Sequence, residues 1–203
     1  MSSSLISLSS ELSDLIFEYL SQLDIIKIFS QINDDRLNAL ICRYMNTIDF
    51  SVVDKRWITK YLSIIKSFII TIRFNHKQLD ELFSLYSTIK SIRDTYPQLK
   101  SVLWLDVSEN QNEKEKYAQY LNVFKQICTS LTLHCNKHWN DQELINQIFR
   151  DNQSILELLT YTGDYCLAFK PVDLHPNYSL RRLTLSLSCL SHLFLLVEYL
   201  SQL

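Results

Sequence analysis

Near the start of the chain, apolar residues recur every three or four positions. Leu12, Leu15, Ile16, Tyr19, Leu20 and Leu23 fall on one side of a helix that Ser9 and Ser10 can cap, with Glu11 in its first turn. Asp24 opens a second short helix with Ile25, Ile26, Ile28 and Phe29 as its apolar members. The cluster Asn33, Asp34, Asp35 caps a third, whose apolar side is Leu37, Leu40, Ile41 and Tyr44. Further on, Trp57, Tyr61, Leu62 and Ile65 sit near helical spacing and predict a helix over 54–66 that bridges these three to whatever follows.

Beyond that bridge the pattern changes to apolar-x-x-apolar-x-apolar-x-x-Asn. Val102, Leu105, Val107, Asn110 fit it, as do Cys128, Leu131, Leu133, Asn136, and Leu180, Leu183, Leu185 with Ser188 in the last place. Leu156, Leu159, Tyr161, Asp164 fit less closely, and Ser67, Ile70, Ile72, Asn75 lack the first apolar residue. Helix-like stretches at 77–86, 112–127, 141–150 and 189–199 lie between these strands. From Val102 onward the spacing resembles the roughly 20 to 29 residues of leucine-rich repeats, which implies parallel neighbouring strands with helices crossing back to cover them. An ordinary α/β domain is the alternative, and the fourth frame can slip to Ile155, Leu158, Thr160, Gly163.

The N-terminal string carries a second resemblance. Leu8-Ser9-Ser10-Glu11-Leu12, then Ile16-Phe17-Glu18-Tyr19-Leu20, then Asp24-Ile25-Ile26 resembles the F-box pattern Leu-Pro-x-Glu-Leu, Ile-Phe-x-Tyr-Leu and Asp-Leu. In that family the module binds a Skp-type adaptor of a cullin-based ubiquitin ligase. The resemblance therefore places Leu8, Ser9, Glu11, Leu12, Ile16, Phe17 and Leu20 at an adaptor interface. Ser9 stands where the family has proline, which removes a rigid apolar contact while keeping a helix cap. The expected fold class is α/β: a three-helix F-box over 1–46, a bridging segment and helix over 47–66, and a leucine-rich-repeat-like solenoid of parallel strands and covering helices over 67–203.

Composition narrows the functions. With 47% hydrophobic and 21% charged residues the chain can bury a sizeable core. A net charge of -2 gives no footprint for nucleic acid or an anionic membrane. Residues 187–200 are too short, and carry His192 and Glu198, for a membrane span. Met1 to Asp14 lacks the basic n-region of a secretory signal, and five scattered cysteines, Cys42, Cys128, Cys135, Cys166 and Cys189, point to reduced thiols in the cytoplasm or nucleus. In that compartment the sequons at Asn152 and Asn177 are chance matches. A single glycine, Gly163, rules out Walker and dinucleotide-binding loops. The sequence stops straight after a hydrophobic helix with no polar capping unit, so the array is expected to be truncated and adhesive at that end.

Candidate chemistry is thin. Cys128, His134, Cys135 and His138 include a Cys-x-x-His spacing compatible with zinc, but the repeat frame assigns Cys128 to the core, so no metal or other cofactor is expected. His76, His175 and His192 fit capping or packing better than catalysis, and the mixed charges of 109–116 read as the solvated start of a helix. The strand frame leaves Arg73, Trp104, Asp106, Thr132, His134, Thr160, Thr162, Arg182, Thr184 and Ser186 on the solvent-facing side, a surface for an unknown protein substrate, unless Trp104 is buried under the bridging helix. The function expected is a non-enzymatic substrate-recognition adaptor. A repeat scaffold without a ligase role and a small cytosolic hydrolase are the alternatives.

Overall fold

The computed structural model describes residues 8–29, 34–83, 89–107, 114–135, 153–163, 178–187 and 190–201, with Asn146, Ile148, Phe149, Leu167 and Leu174 between them. Ser9 caps α1 (Ser10–Tyr19) in an extended conformation, its hydroxyl accepting from Leu12 N at 3.4 Å. Ser21 Oγ accepts from Asp24 N at 3.2 Å in the first turn of α2 (Gln22–Phe29). Asp34 caps α3 (Asp35–Tyr44), accepting from Leu37 N at 2.8 Å. All three expected helices are present, but the first ends at Tyr19, so Leu23, expected on its apolar side, lies in the second. Phe17 locks them together, its ring 4.8 Å from that of Phe29 and 5.4 Å from that of Tyr44.

Six strands follow: β1 (Thr47–Asp49), β2 (Thr71–Asn75), β3 (Ser101–Val107), β4 (Ser130–Cys135), β5 (Leu158–Thr162) and β6 (Arg182–Thr184). They form one sheet in chain order with every neighbouring pair parallel. Between them run α4 (Lys55–Ile65), α5 (Leu79–Phe83), α6 (Ile89–Thr95) and α7 (Lys114–Ile127), and α8 (Leu190–Ser201) follows β6. The molecule is thus α/β, with a six-stranded parallel sheet and eight α-helices among the described residues. Monotonic order with crossovers of one hand puts the helices on one face of the sheet. Strand burial agrees: Ile72 and Phe74, Val102 and Trp104, Leu131 and Leu133, Leu159 and Tyr161 are sealed, while their alternates are partly or fully open.

The strands enter the sheet in a repeating way. Ile70 N and Thr71 N both donate to Asn46 O, Lys100 N and Ser101 N to Ile70 O, and Thr129 N and Ser130 N to Lys100 O. Glu157 N and Leu158 N then donate to Thr129 O, and Arg181 N and Arg182 N to Glu157 O. Ile48, Ile72, Val102, Leu131, Leu159 and Leu183 consequently lie in one row across the sheet. The core is continuous from Phe17 to Leu196, so the N-terminal helices and the sheet share it.

Several expectations change. The sheet begins at β1, inside the segment expected only to bridge, because Ile48 pairs with Ile72. Ile72, not Ile70, occupies the slot of Leu131, a shift of two that preserves the face. In β3 that slot belongs to Val102, not Leu105, an odd shift that turns the strand over. Trp104 is therefore fully buried and is not on the solvent-facing surface. It packs under α7, edge-on to Tyr117 at 5.3 Å, and not under the bridging helix. Of the stretch 77–86, the described part forms a 3-10 turn, His76–Gln78, and α5, while 84–86 lie outside the described residues; α6 was not foreseen. Leu159 and Tyr161 point inward, so the slipped frame through Leu158 and Thr160 is not adopted. Most of 141–150, and Asn110, Asn136, Asp164 and Ser188, lie outside the described residues.

Candidate functional site

The first surface is the outward face of α1. Leu12 and Leu15 are 50% and 52% exposed, Tyr19 is 88% exposed, and Ile16 is also open to solvent. Ser9 and Glu11 are exposed beside them, and Leu8 and Leu20 are half-buried at the ends of the row. Glu11's carboxyl is held below its usual range by its own backbone N–H and then by the Ser9 hydroxyl. Phe17 departs from the expected set: at 1% exposure it is a core residue and is not available to a partner. Leu15 and Tyr19 belong to the surface in its place. Their helical spacing with Leu12 was the signal, but the family pattern drew the selection away from them.

The orientation of that face is fixed from below. Asp14 accepts hydrogen bonds from Arg43 Nη1 and Tyr44 Oη, each at 3.3 Å, tying α1 to α3. Ser13 is buried on the same inner side, its hydroxyl donating to Ser9 O at 3.1 Å. With Phe17 and Asp14 anchored inward, Leu12, Leu15, Ile16 and Tyr19 cannot turn into the core. Covering a half-exposed leucine is worth about 1 kcal/mol, so a complementary surface gains several kcal/mol here.

The second surface is the open face of the sheet. Arg73, His134, Arg182 and Thr184 are exposed and Thr132 and Thr160 half-buried, all on that side as the frame predicts. Leu103 and Leu105 occupy the places expected of Trp104 and its neighbour. Arg73 Nε pairs with Asp49 Oδ2 at 3.3 Å, a partner invisible before β1 was known. Asp106 is exposed at φ 51°, where the β3–β4 register shifts, and its carbonyl meets His76 Nδ1 at 3.0 Å. That bulge is why Trp104 and Val107 can both point inward.

Beyond the C-terminal ends of β4 and β5, His134, Cys135, Thr162, Gly163 and Ser186 line an open cavity of about 370 Å³. His134 Nδ1 is hydrogen-bonded to the Thr162 hydroxyl. Burial pushes the Cys135 thiol up despite a hydrogen bond with Tyr161, and pushes Cys128 up to about 12. A nucleophilic or metal-binding thiol needs the opposite shift. A side chain on Gly163 would place Cβ 2.8 Å from Tyr161 Oη, so the glycine admits the tyrosine to this corner.

Among the described residues no three His, Cys, Asp or Glu groups converge on a metal-sized site. His138, Cys166, His175 and Cys189, and the sequons at Asn152 and Asn177, lie outside the described residues. No described helix is long and apolar enough to cross a membrane. No protein-family profile, curated protein or solved structure matches the chain.

Proposed function

We propose that the chain is a non-enzymatic substrate-recognition adaptor of a cullin-based ubiquitin ligase. In this reading α1 to α3 are an F-box that docks on a Skp-type adaptor, and the units from β1 to β6 form a leucine-rich-repeat-like array whose open face holds a target protein. The observation that carries it is the reversed helix α1, which keeps one aromatic inside and turns Leu12, Leu15, Ile16 and Tyr19 to solvent. A face of that kind, on a helix anchored by its other side, is suited to a separate subunit. The five equivalent strand entries support the repeat half of the reading.

The mechanism is proximity. One continuous core joins docking helices and sheet, so a target on the open face is held at a fixed offset from the adaptor, raising the effective concentration of its lysines near a ubiquitin-carrying enzyme. Catalysis belongs to other subunits, no cofactor is needed, and the working compartment is cytoplasm or nucleus. Titration of the purified chain with a purified Skp-type adaptor tests this: a saturable one-to-one complex is expected. Absence of binding, with the helices intact by circular dichroism, removes the ligase role and leaves a repeat scaffold.

A further inference from the structure

Arg43, Arg73 and Arg93 are committed to this chain's own atoms, the first two to the carboxylates of Asp14 and Asp49 and the third to the carbonyl of Gln126. Arg181 and Arg182 are different. Both are exposed, and neither has an ion pair among the described residues. They are the chain's only adjacent arginines, and they stand in the run Leu180-Arg181-Arg182-Leu183-Thr184-Leu185. Within it β6 is the last strand in the sheet order, three residues long, and among the described residues it pairs only with β5. Side chains alternate along a strand, so Arg182 and Thr184 share the open face, and both are exposed while Leu183 and Leu185 are half-buried. Thr184 is thus a surface hydroxyl residue two places after one guanidinium and three after the other.

We propose that Thr184 is a phosphorylation site for an arginine-directed serine/threonine kinase. Kinases select substrates by charge pattern. In an enzyme of this class, carboxylates lining the peptide groove take the two guanidiniums through charge-assisted hydrogen bonds, and an apolar pocket takes the residue after the hydroxyl, here Leu185. Thr184 Oγ1 then forms a bond to the γ-phosphorus of ATP as the bond from that phosphorus to the β,γ-bridging oxygen breaks; ADP leaves, and the hydroxyl proton passes to the kinase's catalytic carboxylate. Such a groove accepts an extended chain, and β6 is already extended. Its ladder to β5 covers only three register pairs at the margin of the sheet, so lifting it into the groove is a local opening. Thr59 supplies the internal contrast. Lys55 and Arg56 precede it, but they lie in α4, Lys55 is paired with Glu81, and the Thr59 hydroxyl donates to Lys55 O at 2.9 Å. A helical backbone does not match a groove built for an extended one.

The product carries a charge of about -2 at pH 7 and three acceptor oxygens, on the same face as Arg182 and across from Thr160 of β5. A cationic patch thereby loses its excess positive charge. On the adaptor reading above, this changes what the open face can hold; that consequence rests on that reading, whereas the modification itself does not.

The test is incubation of the folded full chain with MgATP and the catalytic subunit of cyclic-AMP-dependent protein kinase, an arginine-directed enzyme, with the phosphate located by mass spectrometry. Phosphate should accumulate on Thr184 and not on Thr59. Thr184→Val should abolish the Thr184 signal and Thr184→Ser should restore it. Arg181→Ala/Arg182→Ala should lower kcat/KM about a hundredfold or more, since two charge-assisted contacts are lost and each is worth about tenfold or more. Both arginines are exposed, so the doubly substituted chain should melt with the unaltered one. No phosphate on Thr184, phosphate there only after thermal unfolding, or a rate indifferent to both arginines overturns the proposal.

Discussion

Helices α1 and α4 have nearly equal lengths, 10 and 11 residues, and similar capping, yet they face opposite ways. Helix α4 buries Trp57, Ile58, Tyr61, Leu62 and Ile65 and shows Lys55, Arg56, Thr59, Lys60 and Ser63 to water, with Ile64 its one exposed large apolar side chain. Among its residues with described side chains, helix α1 buries only Ser13 and Phe17, and it shows four large apolar side chains. The amount of apolar surface in a helix says little about its role; what distinguishes them is which side the anchors hold inward. In α4 burial and stability are the same residues, whereas in α1 they are separated, so stability and binding should come apart under mutation.

The largest effect should fall on the sheet side of the shared core. Trp104→Ala removes a fully buried indole from a cluster with Phe74, Tyr117 and Phe124 and should cost about 3–5 kcal/mol in urea unfolding. Both interaction surfaces should weaken with it; an unchanged midpoint would put Trp104 outside the core. Next comes the contrast within α1: Phe17→Ala should cost about 3 kcal/mol and Ile16→Ala under about 1 kcal/mol in thermal or denaturant melts. Equal losses would erase the distinction between the two sides of the helix.

Thiol labelling gives a smaller, separate check on the sheet core. At pH 8 a thiol with pKa about 12 is ionised to about one part in ten thousand, so Cys128 should label only on unfolding, while half-buried Cys42 labels earlier. Rapid native labelling of Cys128 by mass spectrometry would contradict its burial. The smallest effect should be Ser9→Pro. Ser9 already has φ -64°, which proline requires, so the gain in chain stiffness should offset the lost 3.4 Å cap to within about 0.5 kcal/mol. Adaptor affinity should rise; a clear loss of stability or of affinity would show that the serine is needed at this corner.

The sequence was most readable where polar and apolar residues alternate. In β4 and β6 threonine, histidine or arginine separates the inward residues, and both frame and face were legible, whereas in β5 the adjacent Leu158 and Leu159 left two frames open. In β3, Val102 to Leu105 are all apolar, so nothing in the pattern chose between Trp104 and Leu105, and the bulge at Asp106 hid the true phase. Strand β1 is three residues long with one apolar side chain, too short to register. Helix α1 was legible in position and caps but not in orientation. Ile16 and Phe17 are adjacent and equally apolar, and only the rings of Phe29 and Tyr44, brought close by folding, decide that Phe17 goes inward.

The most direct measurement is calorimetric titration of a purified Skp-type adaptor into the unaltered chain and into Leu12→Asp/Leu15→Asp. Both positions are half exposed, so the doubly substituted chain should melt within about 1 kcal/mol of the original, as surface changes do. Its adaptor affinity should fall about a hundredfold or more, the effect of removing two central contacts. Undiminished binding by a folded double variant would contradict the assignment of α1 as the docking face.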